Sequence, residues 1–164
     1  MADRPAALSP AQEQAWSLLV GLTMWLPAAL DARLAAAADV SHAEYQVLRW
    51  LSRTPDGALH MTPLATTASV TQSHLSRIVA RLEKRAWVVR EPDPADGRYT
   101  LARLTDAGAA IVATTDAAYD DAVRELVFDA VQPADVDALR RIATSVLLQI
   151  KPECVAAHSE AAAE

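Results

Sequence analysis

Cysteine is almost missing from this chain of 164 residues: Cys154 is the single one. One thiol excludes an internal disulfide framework and suits a reducing compartment. The four histidines, His42, His60, His74 and His158, share no metal-ligand spacing with it, so no metal and no cofactor are expected. Glycine is scarce as well, with four residues, and none builds a phosphate-cradling loop. No nucleophile–base motif stands in its place, so an enzyme is not expected. No uninterrupted apolar run reaches the roughly 18 residues of a membrane span. The first residues, MADRPAALSP, are too polar for a signal peptide. A cytoplasmic protein without a membrane partner is the expectation.

The charge is acidic in total and basic in one place. The chain carries −6. Between Thr71 and Leu104 stand Arg77, Arg81, Lys84, Arg85, Arg90, Arg98 and Arg103, against Glu83, Glu91, Asp93 and Asp96. That window is net +3, which leaves −9 for the remainder. A basic island in an acidic chain is a local footprint for a polyanion. A solvated helix face with ordinary i,i+4 pairs would produce the same count.

The length fits a single domain over 1–164 with a substantial core. Residues from about Ser9 to Ala38 read as one long helix, with Ser9 as its cap, Pro10 in its first turn and a kink expected at Pro27. Ser41 and Glu44 form a capping box that opens a second helix, SHAEYQVLRWLSR, closed by a turn at Asp56-Gly57. Thr62 and Pro63 mark the start of a short helix. The next helix, QSHLSRIVARLEKRA, aligns Leu75, Ile78, Val79 and Leu82 on one stripe. Residues 87–90 and 99–104 alternate as paired strands do, with Asp96-Gly97 as the tight turn where glycine takes positive φ. Helices then begin at Thr105-Asp106 and at Pro133, and the alanine-rich tail, 151–164, is expected to fray.

This is a mainly α fold with a small antiparallel β-ribbon, in the order of a winged helix-turn-helix lobe (about 41–104). Beside it stand helical stretches (about 9–38 and 105–150) whose first and last helices carry broad apolar faces with no other partner in sight, which suits a dimerisation region. Its chemistry follows from duplex geometry, because a major groove admits one helix whose N-terminal polar side chains reach base edges. Gln72 suits adenine, Arg77 suits guanine or phosphate, and Thr71, Ser73 and Ser76 suit phosphate or either base. Arg98 at the ribbon tip suits the neighbouring minor groove.

The stretch LSRIVARLEKRAWVVREPDPADGRYTLARLTDAG, with its Asp-x-Arg wing and Leu-Thr-x-x-Gly, resembles the MarR family of bacterial transcriptional regulators. The likeness extends over roughly Ser9 to Ile150. It implies a homodimer of interlocked terminal helices that represses by binding a pseudo-palindromic operator in double-stranded DNA. It also implies release by a small effector, often an aromatic acid, held between the dimer helices and the winged lobe. By position, DNA contact falls on Gln72, Ser73, His74, Ser76, Arg77 and Arg98, with Asp96 bracing the arginine. Trp16, His42, Tyr45 and Arg49 are the effector-pocket candidates, although a large aromatic at helical spacing is more often core. The family commonly carries glycine where this chain has Ala86. Two other readings stay open: a winged module that binds protein, and the N-terminal part of a small-molecule methyltransferase, which would need a nucleotide-type domain after Ile150.

Overall fold

The computed structural model of the chain describes residues 7–160. Helix α1, Pro10–Ala38, opens on a complete capping box: the Ser9 hydroxyl accepts from Gln12 N–H, and the Gln12 side chain returns to Ser9 N–H. It runs through Pro27 unbroken and ends at Asp39 in left-handed conformation. Apolar residues lie around its whole circumference, yet only Leu30 and Leu34 are buried. Among the described residues it is the one helix long and apolar enough to cross a membrane. Trp16, Leu18, Met24 and Trp25 stand bare on it, Trp25 at 76% exposure. Trp16 and Trp25 are therefore not core residues of the single chain. A helix apolar all round is built to be covered.

Helix α2, His42–Ser52, starts from the expected Ser41–Glu44 capping box and buries Tyr45, Val47, Leu48 and Leu51. Gly57, at φ +61°, turns the chain into strand β1, Ala58–His60. Helix α3, Met61–Thr67, begins two residues before the expected Thr62–Pro63 start, with His60 at its cap. Pro63 is tolerated inside because the first-turn N–H groups of a helix have no intrahelical partner to lose. Ser69 in left-handed conformation then turns the chain, with Val70 N–H on Ala65 O and Ser69 N–H on Thr66 O. Helix α4, Gln72–Lys84, follows and buries Leu75, Ile78, Val79 and Leu82 as its stripe requires.

Strands β2, Val88–Pro92, and β3, Thr100–Leu104, form the wing. The sheet has three strands rather than the expected two, in the antiparallel order β1-β3-β2. β1 was too short to announce itself by alternation, and it is held by non-local pairing of Leu59 with Ala102. β2 is an edge strand, which is how Pro92 fits at its end. The connection is not a two-residue turn but seven residues, 93–99, and Gly97 does not use positive φ. Two aspartates close it instead: Asp93 Oδ1 accepts from Ala95 N–H at 2.7 Å, and Asp96 Oδ1 from Arg98 N–H at 3.1 Å.

Helix α5, Asp106–Leu126, packs along α1 and α2. After 3-10 turns at Phe128–Ala130 and Pro133–Asp135 comes α6, Val136–Ile150, in which no residue is buried. The tail does not fray as expected: α7, Pro152–Glu160, folds back on α3 and buries Cys154. Proline at its first position and a place for Cys154 beside Ser69 account for the order. Residues 161–164 lie outside the described residues. One core joins α2, α3, α4, the sheet, α5 and the C-terminal end of α1.

Candidate nucleic-acid interface

The side of α4 opposite its buried stripe is a row of polar side chains. Thr71 caps the helix, its hydroxyl accepting from His74 N–H at 3.3 Å. Thr71, Gln72, Ser73, Ser76 and Arg77 are exposed and His74 is half-buried. The structure thus brings all six of these expected residues to the first two turns of one helix. Glu44 fixes that helix from below, its carboxylate accepting from Arg81 Nε at 2.7 Å and from the Ser41 N–H and hydroxyl at 3.0 Å. Burial pushes the Glu44 carboxyl up, but the Arg81 and Ser41 hydrogen bonds prevail and hold it below its ordinary value.

Ion pairs sort the basic island. Arg81 pairs with Glu44, Arg85 with Asp39, Arg90 with Glu83, Arg98 with Asp96 and Arg103 with Glu91. Among the described residues, Arg77 and Lys84 alone of the seven have no carboxylate partner. Most of the island is therefore spent on the lobe's own structure.

Arg98 is paired and still presented. Its Nε and Nη2 grip the Asp96 carboxylate at 2.9 and 2.6 Å, while the side chain stays 84% exposed. The Asp96 carboxyl is held below its ordinary value by that guanidinium and by Arg98 N–H. A forked ion pair of this kind stiffens a long side chain and leaves Nη1 outside the grip on Asp96. Asp96 thus holds the wing arginine, the contact that the family resemblance implies.

The turn between α4 and the wing is a Schellman motif: Ala86 N–H bonds Glu83 O at 2.9 Å and Trp87 N–H bonds Leu82 O at 3.0 Å. Ala86 sits at φ +56°, in the left-handed region where glycine is at ease and alanine is not. Thr105 ties the far end of the wing to this turn, donating its hydroxyl to Ala86 O at 2.7 Å and its N–H to Trp87 O at 3.1 Å.

The effector candidates divide. His42, Tyr45 and Arg49 meet Tyr119 of α5: the His42 and Tyr45 rings lie 5.8 and 4.7 Å from the Tyr119 ring, and the Arg49 guanidinium 4.7 Å above it. Tyr45 donates its hydroxyl to Asp116, Arg49 pairs with Asp120 at 3.2 Å, and Gln46 bridges His42 and the Tyr119 hydroxyl. Trp16 does not join them. It stands 58% exposed on α1, roughly 22 Å of helix away from Asp31, which accepts from His42 N–H. Asp116, Tyr119 and Asp120 escaped the sequence reading, although their i, i+3, i+4 spacing puts them on one face of α5.

No curated protein matches the sequence. A model of the MarR family matches residues 38–98, the lobe from the end of α1 to Arg98. Sco3205, a MarR family transcriptional regulator from Streptomyces coelicolor solved in complex with DNA, is 37% identical, with a TM-score of 0.86 over 92% of this chain and 94% of its own. The chain belongs to the MarR family of transcriptional regulators. AbsC, a further MarR family regulator from S. coelicolor, shares the fold at 22% identity, covering 90% of this chain and 99% of its own with a TM-score of 0.82. A mutant of MarR from E. coli, complexed with operator DNA, is 25% identical and covers 87% of this chain and 99% of its own, with a TM-score of 0.71. The MarR family lobe is what α2 to β3 build here, and the Leu-Thr-x-x-Gly motif is the clasp that joins it to α5.

Proposed function

We propose that the protein is a homodimeric, cytoplasmic DNA-binding regulator without enzymatic activity, which represses by occupying a pseudo-palindromic operator. The observation that carries this is the pairing of two presented surfaces on one rigid lobe: the exposed polar start of α4, with Arg77 unpaired, and a wing arginine held outward on Asp96. Sco3205, solved with DNA, has the same overall fold. Gln72 and Arg77 read base edges, Thr71, Ser73, His74 and Ser76 contact phosphate or base, and Arg98 enters the minor groove.

The dimer supplies the two-fold symmetry that such a site needs. Its support is the bare apolar surface of α1 and of α6, where Ile142 is 62% exposed and Val146 and Ile150 are exposed with it. A monomer seldom leaves so many large apolar side chains exposed on two of its helices. The His42, Tyr45, Arg49 and Tyr119 cluster joins α2 of the lobe to α5, which is where a small acid would change the spacing of two lobes. Arg49 is its anchor, at the expense of the Asp120 pair.

Selection from a random duplex library, followed by titration against salt, tests the reading. With the three cations Arg77, Lys84 and Arg98 of each protomer brought into the duplex field, each displacing about one counterion whether it meets a base edge or a phosphate, log K against log salt should slope near −5. A slope shallower than about −2, or a folded monomer in sedimentation at micromolar concentration, would overturn it.

A further inference from the structure

Beyond the residues that would touch DNA, the geometry points to His60 as the positioning residue of the wing: its imidazole latches Asp93 at the root of the wing loop and so fixes where Arg98 stands. The inference rests on the DNA-binding reading for its consequence but not for its mechanics.

His60 ends β1 and caps α3, so its backbone belongs to the body of the lobe. Its Nε2 reaches past β3 to Asp93 Oδ2 at 2.6 Å. The other carboxylate oxygen of Asp93 accepts from Ala95 N–H, and Asp93 N–H bonds Tyr99 O at 3.0 Å. Asp93 thus gathers both strands of the loop root, and His60 is the side chain that fastens this knot to the body. The Tyr99 ring packs at a tilt of 48° against the His60 ring, centroids 5.5 Å apart. Tyr99 N–H in turn bonds Asp96 O at 3.0 Å, and Asp96 grips Arg98. The chain of contacts runs without a gap: His60, Asp93 and Tyr99, Asp96, Arg98.

Among the described residues, the His60 bond to Asp93 is the side-chain hydrogen bond that ties this loop to the body of the lobe. Ladder pairing of β2 with β3 stops at Pro92 and Thr100, and β1 stops at its partner Leu101. Beyond them the loop has its own two backbone bonds, Asp93 N–H to Tyr99 O and Tyr99 N–H to Asp96 O, and the side-chain contacts of Asp93, Asp96 and His60. A notch of about 310 Å³, walled by His60, Pro63, Arg98 and Tyr99, separates the wing from the start of α3 and gives the loop room to swing. The Asp93 carboxylate is half-enclosed, and Ala95 N–H and the imidazole hold it below its ordinary value. A carboxylate kept charged is what a latch of this kind requires.

Two measurements on the full chain test this. In the free protein, His60→Ala should speed amide hydrogen exchange at Asp93 and Tyr99 at least tenfold and leave Leu75 to Leu82 in α4 unchanged. On a fluorescein-labelled duplex selected by the parent, His60→Ala should weaken binding about three- to tenfold, as loss of a half-exposed charged hydrogen bond in each of two wings would. His60→Gln, which keeps an N–H at the same reach, should restore most of both. In an Arg98→Ala background, His60→Ala should cost little further. Unchanged exchange, or full additivity with Arg98→Ala, would overturn the latch. If the parent selects no duplex, the DNA-binding reading falls, and the exchange measurement still decides whether His60 holds the wing.

Discussion

Gly108 in the first turn of α5 lies against the carbonyl of Trp87: a Cβ at position 108 would come within 2.2 Å of Trp87 O and 2.7 Å of Leu104 Cδ1. That carbonyl is already engaged by Thr105 N–H, and Thr105 Oγ1 caps α5 by accepting Gly108 N–H at 3.1 Å. The glycine of Leu-Thr-x-x-Gly is thus a space requirement, not a conformational one. It lets the helix that leaves the wing press against the turn that enters it.

Gly108→Ala should therefore destabilise the protein by roughly 1–3 kcal/mol, since backbone is what must give way. Helix propensity alone argues the opposite, favouring alanine by about 1 kcal/mol in a helix interior. A urea melt reads the sign directly. A gain in stability would mean that α5 can shift away from Trp87 at no cost.

Ala86→Gly should move stability the other way, neutral or up by as much as ~1 kcal/mol, because residue 86 occupies a left-handed C′ position. The Schellman bonds to Glu83 and Leu82 use backbone atoms only and survive the change. Clear destabilisation in the same melt would show that the helix continues past Arg85 in solution.

How legible each part was follows from the range of the forces involved. The starts of α1, α2, α4 and α5 could be read because Ser9, Ser41, Thr71 and Thr105 act on neighbours three residues away. The buried stripe of α4 was equally local in pattern. β1 was not, because three residues that pair only with β3 leave no periodic mark. The order of α7 depends on a docking place for Cys154 at the α3–α4 turn, which no spacing in the tail describes. At the candidate interface, the exposed residues of α4 were visible, and so was Arg98 with its brace. Which cations are free was not: Arg81 and Arg85 look like Arg77 and Lys84 until the fold brings Glu44 and Asp39 beside the first two. His60 gave no signal either, since its partner lies across a sheet whose third strand was unforeseen.

Stability should fall on mild acidification, and His42 should be the reason. Burial holds its imidazole below the ordinary value of 6.5, outweighing the Asp31 carboxylate, which acts the other way. Gln46 on its own helix and Tyr119 on α5 pack against the ring, with Arg49 over the same tyrosine. The unfolded chain then takes up the proton first as pH drops. The contribution is complete above about 6.5 and is lost as pH falls through the lower folded value. The Glu44 carboxyl, also held low, adds a loss of the same sign only below about 4.5. As pH falls below about 6.5, and before Glu44 contributes below about 4.5, the urea midpoint of the parent should decline, and that of His42→Gln should stay level. A midpoint that rises on acidification would show that the folded state prefers a charged His42.

Arg98 is the residue on which the DNA-binding reading can be tested most cleanly. Its side chain is bonded to Asp96 alone and is mostly in solvent, so Arg98→Ala should leave the melting temperature unchanged. Base edges in the minor groove are nearly degenerate, so an arginine there senses charge and groove width more than sequence. The variant should lose affinity by about 1–3 kcal/mol per dimer while keeping the same preferred bases. Arg98→Lys should recover little, because an ammonium cannot take the forked grip on Asp96 that aims the guanidinium. Arg77→Ala should behave differently, relaxing the preference at particular base pairs within each half-site. Competition binding against a panel of single-base variants of the selected duplex separates the two patterns. If Arg98→Ala binds as tightly as the parent, the wing is a solvated hairpin and the duplex is held by α4 alone; if it narrows or shifts the preferred bases, Arg98 reads sequence and belongs in the major groove.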